Sequence, residues 1–248
     1  MTDPFTPSTE LRSGIAAPPQ TVVITGAAGN LGRAVASAFA TQGAHLVLID
    51  LRRESLEQSH GAESEQQLFL PANLLDATQV QGAVQAAVAR FGRIDVLCNL
   101  AGGFRMGDAV HATPDSTWDF LMDLNARTLL NMVRAVVPHM LEHGGGKIVN
   151  VGAFAAQKGA AHMGAYCAAK SSVIRLTEAM AAELREQHIN VNCVLPTILD
   201  TPENRAAMPD ADPLRWVAPA DLASVIAFLA SDAAKAMHGA VLPVTGLS

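Results

Sequence analysis

Cysteine is scarce in this sequence, and the few that occur form no recognisable pattern. Cys98, Cys167 and Cys193 are an odd number, and no pair has the C-x-x-C spacing. Neither a disulfide framework nor a cysteine-based metal site is therefore predicted. Reduced, buried thiols of this kind are typical of a reducing compartment, so we expect a cytoplasmic protein.

Long hydrophobic runs and an excess of basic residues are also missing. No uninterrupted apolar stretch reaches the ~18 residues of a transmembrane helix, so we expect no membrane span. The formal net charge of −6 disfavours nucleic acid or an anionic membrane as a partner. Residues 1–19 carry prolines but no basic segment followed by an apolar one, which predicts a flexible tail rather than a signal peptide. We predict no metal site.

Hydrophobic residues make up 50% of the chain and are arranged in short runs. Their continuous apolar character is typical of parallel strands buried on both faces. Helix-like segments separate them, at 30–42, 52–59, 76–91, 115–142, 164–187 and 219–231. This alternation predicts an α/β fold, with a single Rossmann-type doubly wound domain over residues 20–248 and a seven-stranded parallel sheet flanked by helices on both faces. The seven predicted strands are TVVITG, AHLVLID, QLFLPA, RIDVLCNLAG, GKIVNVGA, INVNCVLP and GAVLPVTG.

Two segments resist this pattern. Residues 103–114 form a glycine-containing loop, and residues 197–218 contain three prolines. Both follow predicted strands, so both are expected over the carboxyl edge of the sheet, where open α/β folds bind ligands. The second, at about 197–218, is long enough to be a substrate lid.

A glycine-rich turn joins the first strand to the first helix. Gly26, Gly29 and Gly32 would let backbone N–H groups approach a pyrophosphate at the positive end of that helix. Asp50 ends the second strand, where a carboxylate binds a ribose 2′,3′-diol and repels a 2′-phosphate. The sequence therefore favours NAD(H) over NADP(H), although Arg52 and Arg53 close by could soften the preference.

The single tyrosine and one of four lysines stand four residues apart. Tyr166 and Lys170 are i and i+4 on a predicted helix and hence share a face. A nearby ammonium favours the phenolate, so we expect a lowered tyrosine pKa and a general acid usable at neutral pH. Tyr166 would protonate a carbonyl oxygen as hydride arrives from a nicotinamide.

Over residues 20–246 the chain resembles the short-chain dehydrogenase/reductase family. The shared features are T-G-x-x-x-x-x-G from Thr25, N-x-A-G from Asn99, a helix asparagine (Asn125), Y-x-x-x-K, and Pro196 after the sixth strand. The resemblance implies a nicotinamide cofactor, a small-molecule substrate and a homodimer or homotetramer. It implies that Asn125 holds a proton-relay water, that Tyr166 is the acid/base, and that Lys170 binds the ribose and modulates the tyrosine. The implied cofactor-binding residues are Thr25, Gly26, Gly29, Asn30, Leu31, Gly32, Asp50, Leu51, Asn73, Leu74, Asn99, Ala101, Gly102, Tyr166, Lys170, Pro196, Thr197 and Thr201.

The departures from the family pattern are informative. Asn30 stands at the family's middle glycine, where we expect it to tolerate left-handed geometry. Ala153 stands at the catalytic serine, which normally donates a hydrogen bond to the substrate oxygen. Three explanations remain open: a non-catalytic NAD-binding regulator, another donor such as Gln157, His162 or a water held by Asn125, or a substrate that does not need the serine.

A closer resemblance to the dihydropteridine reductase-like subgroup supports the third explanation. That subgroup also has alanine at the serine position, and it shares AGG at 101–103, GAFAA at 152–156 and the L-D-T-P-x-N-R framework of the lid. The resemblance implies a quinonoid dihydropterin or a similar planar substrate. A carbonyl or 3-oxoacyl reductase, or an alcohol dehydrogenase, is the alternative. Candidate pocket residues are Ala153, Phe154, Met208 and Trp216, with Phe104 or Trp118 stacking on the substrate.

Overall fold

The computed structural model describes residues 19–248, so the N-terminal tail predicted over 1–19 lies almost entirely outside the described residues. Seven strands form one parallel sheet in the order β3-β2-β1-β4-β5-β6-β7. They are β1 (Thr21–Thr25), β2 (His45–Asp50), β3 (Gln67–Pro71), β4 (Val96–Asn99), β5 (Gly146–Val151), β6 (Ile189–Pro196) and β7 (Val241–Val244). Each predicted strand contains one of these, and the predicted fold class is confirmed.

In the described part of the chain, eight α-helices connect the strands and cover both faces of the sheet. They are α1 (Asn30–Ala40), α2 (Arg53–His60), α3 (Ala77–Phe91), α4 (Asp115–Met122), α5 (Thr128–Glu142), α6 (Gly164–Leu184), α7 (Pro202–Ala207) and α8 (Pro219–Leu229). The start of α3 has a clear chemical cause. The carboxylate of Asp76 accepts hydrogen bonds from the backbone N–H groups of Thr78 and Gln79, at 2.9 and 3.2 Å, so it caps the helix.

The apolar runs are continuous because the sheet is buried on both sides. Along β1 and β2, Val23 and Val47 face a core built with α3, α5 and α6. Ile24 and Leu48 face the opposite core, built with α1, α2 and α8. Every residue of β1 is buried, so alternation of side chains between two apolar layers leaves no polar face.

The predicted helix over 115–142 is interrupted. A π-helical turn, Asp123–Arg127, separates α4 from α5. Its central residue, Asn125, has a buried side chain that is hydrogen-bonded to the loop after β4. This contact accounts for the wider helical turn, which hydrophobic periodicity does not predict.

The predicted lid is also more ordered than a bare loop. It contains α7 and a 3₁₀ turn, Pro213–Arg215. The N–H of Asp200 donates to the carbonyl of Val217 at 2.9 Å, and the N–H of Val217 donates to that of Ile198 at 2.9 Å. The two ends of the segment are therefore fastened together. Within residues 19–248, none of the helices is apolar enough over sufficient length to span a bilayer.

Candidate active site

A cleft of about 560 Å³ opens at the carboxyl ends of β1, β2 and β4. The chain leaves β1 and β4 in opposite directions across the sheet, so this is the point where the strand order reverses. Residues from the glycine turn, the ends of β2, β3 and β4, the π-helical turn and the lid surround it. They are Gly26, Gly29, Asn30, Leu31, Gly32, Asp50, Leu51, Ala72, Asn73, Leu74, Leu75, Leu100, Ala101, Gly102, Leu124, Thr128, Leu199 and Thr201.

The glycine turn is shaped by two positions that cannot carry a side chain. Gly26 has φ +64°, and a Cβ there would lie 3.1 Å from the backbone of Ala101. A Cβ on Gly32 would lie 2.6 Å from the carbonyl oxygen of Ala27. Backbone and helix α1 thus approach closely enough to present N–H groups to an anion at the positive helix end.

Asn30 has a right-handed helical backbone conformation, because it is the first residue of α1. The tolerance of left-handed geometry expected of Asn30 is not called upon, because the positive φ of this turn falls on Gly26. Its side chain instead bridges the cleft. The Nδ2 group donates to Oε2 of Glu203 in α7 at 2.8 Å, and Oδ1 accepts from Arg33 at 2.5 Å.

Two side chains of α2 support the glycine turn from behind. The hydroxyl of Ser59 donates to the carbonyl of Ala28 at 3.0 Å. Nε2 of His60 lies 2.8 Å from the carbonyl oxygen of Ala27 and donates to it in the matching tautomer. Sequence reasoning missed both residues, because neither belongs to a local motif.

Asp50 lies at the edge of the cleft with its carboxylate fixed in orientation. Oδ2 accepts from the N–H of Ala28 at 3.0 Å, and Oδ1 accepts from the N–H of Leu51 at 2.8 Å. The remaining lone pairs can accept from a diol. Arg53 forms ion pairs with Glu57 and Glu63 on the outer surface of α2, so its charge is already compensated there.

Twelve of the eighteen predicted cofactor residues line the cleft. The other six are Thr25, Asn99, Tyr166, Lys170, Pro196 and Thr197. The hydroxyl of Thr25 accepts from the N–H groups of Leu100 and Ala101, at 3.0 and 3.2 Å, and so ties the end of β1 to the cleft. Thr197 donates to the carbonyl of Thr245 at 3.0 Å, near the end of the chain.

Asn99 belongs to a buried chain of amides below the cleft. Its Nδ2 group donates to Oδ1 of Asn150 at 2.9 Å, and Nδ2 of Asn150 donates to the hydroxyl of Thr177 at 2.9 Å. Thr177 donates in turn to the carbonyl of Val173 within α6. The chain links β4 and β5 to the helix that carries the tyrosine and the lysine. Pro196 ends β6 and is buried.

Tyr166 and Lys170 lie in the first turns of α6, beneath the cleft. The ammonium of Lys170 is buried and donates to the carbonyl of Val151 at 2.9 Å. Burial lowers the pKa of Lys170 to about 8, while the neighbouring Cys193 acts in the opposite direction. Burial also raises the pKa of Tyr166 to about 12, with a further contribution from Cys167. The expected lowering of the tyrosine pKa is wrong, because desolvation of the phenolate exceeds any effect of the lysine.

Gly102 connects the cleft to these residues. A Cβ at this position would lie 2.8 Å from Oδ1 of Asn125 and 3.0 Å from Nζ of Lys170. The side chain of Asn125 is engaged with backbone: Oδ1 accepts from the N–H of Gly103, and Nδ2 donates to the carbonyls of Gly103 and Leu121. Its amide therefore holds the loop after β4 in place, and the second lone pair of Oδ1 is what the side chain leaves for a relay water.

A loop crosses in front of the tyrosine. Phe104 contacts the Tyr166 ring edge to face, with centroids 4.8 Å apart. Further along, two contacts join Gly107 and His162. The N–H of Gly107 donates to the carbonyl of His162 at 2.9 Å, and Nδ1 of His162 lies 3.1 Å from the carbonyl oxygen of Gly107. His162 has φ +63°, so the clamp holds a backbone conformation that is unusual for this residue type.

The four predicted pocket residues are not part of the cleft lining. Ala153 is buried at the end of β5 and precedes a 3₁₀ turn that begins with the exposed Phe154. Met208 follows α7, and Trp216 is 8% exposed at the base of the lid. Burial of Trp216 fits packing of the lid rather than an open pocket wall.

One histidine pair has metal-ligand spacing that the sequence prediction did not use. His139, Glu142 and His143 follow H-x-x-E-H at the end of α5. Nδ1 of His143 lies 2.8 Å from the carbonyl oxygen of His139, and Glu142 is largely exposed. This helix end adjoins the amino end of β5, away from the cleft. Across the described part of the chain, no three His, Cys, Asp or Glu side chains are grouped to hold a metal ion.

Known proteins are similar to this chain in sequence and in fold. The family model described as short chain dehydrogenase matches residues 20–212. D-threitol dehydrogenase of Mycolicibacterium smegmatis is 36% identical over 236 residues, which cover 90% of each chain. The 3-oxoacyl-(acyl-carrier-protein) reductase FabG of Thermotoga maritima is 33% identical and is covered over 95% of its length by 90% of this chain. Carveol dehydrogenase from Mycobacterium avium, solved in complex with NAD, is 28% identical with a TM-score of 0.83, over 92% of this chain and 96% of its own.

Proposed function

The chain belongs to the short-chain dehydrogenase family and is an oxidoreductase of that type; from this premise we propose that it is an NADH-dependent reductase in which Tyr166 protonates the substrate. The observation that carries the proposal is the junction at Gly102. One face of this residue borders the dinucleotide-sized cleft, and the other lies against Asn125 and Lys170. Cofactor and acid/base residues would therefore meet at the carboxyl edge of β4.

The residues present fit a nicotinamide dinucleotide. Gly26, Gly29 and Gly32 give the close backbone approach that a pyrophosphate requires, and Asp50 presents a fixed carboxylate for the adenine ribose. The NAD in the carveol dehydrogenase structure supports the same cofactor class. A bound nicotinamide supplies the hydride. The 2′-phosphate of NADPH would be repelled by Asp50, and Arg53 is engaged by two glutamates, so we propose a preference for NADH.

Protonation states suit the reductive direction. With a pKa of about 12, Tyr166 holds its proton at neutral pH and can donate it to the substrate oxygen or nitrogen as hydride arrives. Lys170, with a pKa of about 8, is mostly charged there and stabilises the phenolate that forms. Its remaining N–H groups can donate to a ribose hydroxyl.

The substrate class follows from Ala153. We propose that this residue occupies the position of the family's catalytic serine, so the substrate oxygen lacks one hydrogen-bond donor. Loss of such a donor costs on the order of 10²–10³ in rate for a substrate that depends on it. A quinonoid dihydropterin or similar electron-poor planar ring needs less polarisation. Ketone or 3-oxoacyl reduction, or alcohol oxidation, is the second candidate and is favoured by the names of the two relatives.

Two measurements test the function. Fluorescence titration with NADH and NADPH should show tighter NADH binding. Asp50→Asn should reduce the difference in affinity between the two cofactors, because it no longer repels the 2′-phosphate of NADPH. NADH oxidation should then be followed with quinonoid dihydropterin, quinone and ketone panels. Tighter binding of NADPH by the wild type would contradict the role of Asp50.

Variants of the tyrosine and the alanine separate the alternatives. Tyr166→Phe should abolish turnover while NADH binding persists, and full activity in this variant would exclude Tyr166 as the acid. Ala153→Ser should raise the rate on ketones but not on quinonoid substrates. NADH binding without turnover by either form would instead identify a non-catalytic regulator.

We also propose a homodimer or homotetramer acting on a small molecule in the cytoplasm. The three cysteines are buried free thiols, as a reducing compartment permits. Light scattering coupled to size exclusion measures the assembly, and a single-chain mass would contradict it.

A further inference from the structure

We infer that Asn30 and Glu203 form a positioning pair that fastens the lid across the dinucleotide cleft and sets how long the cofactor stays bound. The inference rests on the proposed function. The two side chains are 173 positions apart in sequence, yet Nδ2 of Asn30 lies 2.8 Å from Oε2 of Glu203. Asn30 lines the cleft from the glycine turn, and Leu199 and Thr201 line it from the lid.

A third residue fixes the orientation of the amide. Arg33, one turn further along α1, donates from Nη2 to Oδ1 of Asn30 at 2.5 Å. With its oxygen engaged by the guanidinium, Asn30 must present its NH₂ group towards Glu203. A glycine at position 30, as in the family pattern, could form neither contact. The asparagine therefore supplies a link between glycine turn and lid that the family pattern does not contain.

On the other wall, Glu203 belongs to a helix with a rigid base. Thr201 caps α7 by accepting from the N–H of Asn204 at 3.2 Å, and the side chain of Asn204 donates to the carbonyl of Leu199 at 2.9 Å. Arg205 forms a bidentate pair with Asp200, at 2.6 and 2.8 Å. Because these contacts hold α7 together with the residues before it, a contact at Glu203 restrains the helix and the lid segment attached to it.

The surroundings of the Glu203 carboxylate also favour its charged form. Hydrogen bonds from its own backbone N–H and from Thr201 hold the pKa of Glu203 below its usual range, with smaller contributions from Asn30 and Arg33. A hydrogen bond to an ionised group is stronger than one between neutral groups. Arg33 offsets the negative charge that would otherwise oppose a nearby pyrophosphate.

On this inference, release of a dinucleotide moves the lid wall away from the glycine turn, and this link then breaks. Loss of one charge-assisted hydrogen bond between exposed side chains changes a rate constant by roughly 2- to 5-fold. We expect Glu203→Ala and Asn30→Gly each to accelerate NADH dissociation by about that factor, measured by stopped-flow displacement of fluorescent NADH with excess NAD⁺. Because both variants break the same contact, the double variant should dissociate no faster than either single one.

Asp210→Ala is the matched control, because it removes a negative charge from another exposed position of the same lid, outside α7. It should leave the dissociation rate unchanged. Unchanged rates in both single variants, or multiplying effects in the double variant, would overturn the pair. Equal acceleration by Asp210→Ala would show that only net charge matters and would overturn it as well.

A measurement without cofactor separates failure of this inference from failure of the proposed function. Hydrogen exchange of the α7 amides should be faster in Asn30→Gly than in the wild type. If the wild type binds no NADH, the proposed function fails and the residence-time role fails with it. If NADH binds normally but α7 exchanges equally in both proteins, the positioning pair alone is refuted.

Discussion

Lys170 is a buried cation, and replacing it with methionine is expected to make the fold more stable at neutral pH. Burial lowers its pKa from 10.5 to about 8, a difference that corresponds to roughly 3 kcal/mol in favour of the unfolded state. Methionine fills a similar volume without a charge. It leaves the carbonyl of Val151 without its 2.9 Å donor, which costs about 1 kcal/mol. The net gain at pH 7 is about 2 kcal/mol.

The pH dependence gives this prediction its sign. Between pH of about 8 and 10.5 the folded wild type binds fewer protons than the unfolded chain at position 170, so its stability rises with pH across that window. Lys170→Met lacks this rise. The advantage of the variant should therefore fall from about 2 kcal/mol below pH 8 to about −1 kcal/mol above pH 10.5. The raised pKa of Tyr166 makes both proteins lose stability above pH 10, and this loss cancels in the difference.

Urea unfolding at several pH values between about 7 and 10.5 measures the effect. At pH 7 the gain corresponds to a rise in Tm of roughly 4–8 °C for a chain of this size. Lys158→Met provides the control, because this lysine is exposed and its removal should leave stability nearly unchanged. A variant that is less stable than the wild type at pH 7, or a difference that does not vary with pH, would refute the reasoning.

Three further substitutions test the site. Gly32→Ala places a Cβ 2.6 Å from a backbone oxygen, so NADH affinity by titration should fall at least ~10-fold as the turn shifts. Asn150→Ala leaves Asn99 without its acceptor, and thermal unfolding should show a loss of about 2–3 kcal/mol, whereas an unchanged Tm would exclude a structural role. Phe104→Ala exposes Tyr166, which should lower the pKa of the tyrosine and shift the alkaline limb of the pH–rate profile to lower pH. An alkaline limb at the wild-type pH would show that Phe104 does not contribute to the desolvation of Tyr166.

The sequence was sufficient for the architecture because the architecture depends on local patterns. Runs such as TVVITG have no polar face, and this predicts a parallel sheet covered on both sides. The distance in sequence between the glycine turn and Asp50 is likewise set by the lengths of α1 and β2, so it is also a local feature. The helix predicted from residue 76 begins there for a similarly local reason, since the Asp76 cap acts within one turn.

What the sequence could not predict depends on contacts between distant residues. Spacing placed Tyr166 and Lys170 on one helix face but said nothing about their desolvation, which decides the direction of both pKa shifts. The hydrogen bond from His60 to the glycine turn spans 33 positions, and that from Asn30 to Glu203 spans 173. No periodicity within one element carries such information.

The surroundings of Ala153 bear on the choice of substrate. The nearby hydroxyl of Ser171 donates to the carbonyl of Ala156 at 2.8 Å, and the thiol of Cys167 donates to that of Ala155 at 3.3 Å. Both groups hold the 3₁₀ turn, so neither replaces a missing donor without releasing it. Nδ1 of His162 likewise lies against a loop carbonyl. On the proposed alignment, Tyr166, whose pKa of about 12 makes it a weak acid, and the exposed Gln157 are then the candidates to polarise the substrate. A weak acid suits a substrate that accepts hydride readily, and this supports our proposal of an electron-poor ring over a simple ketone.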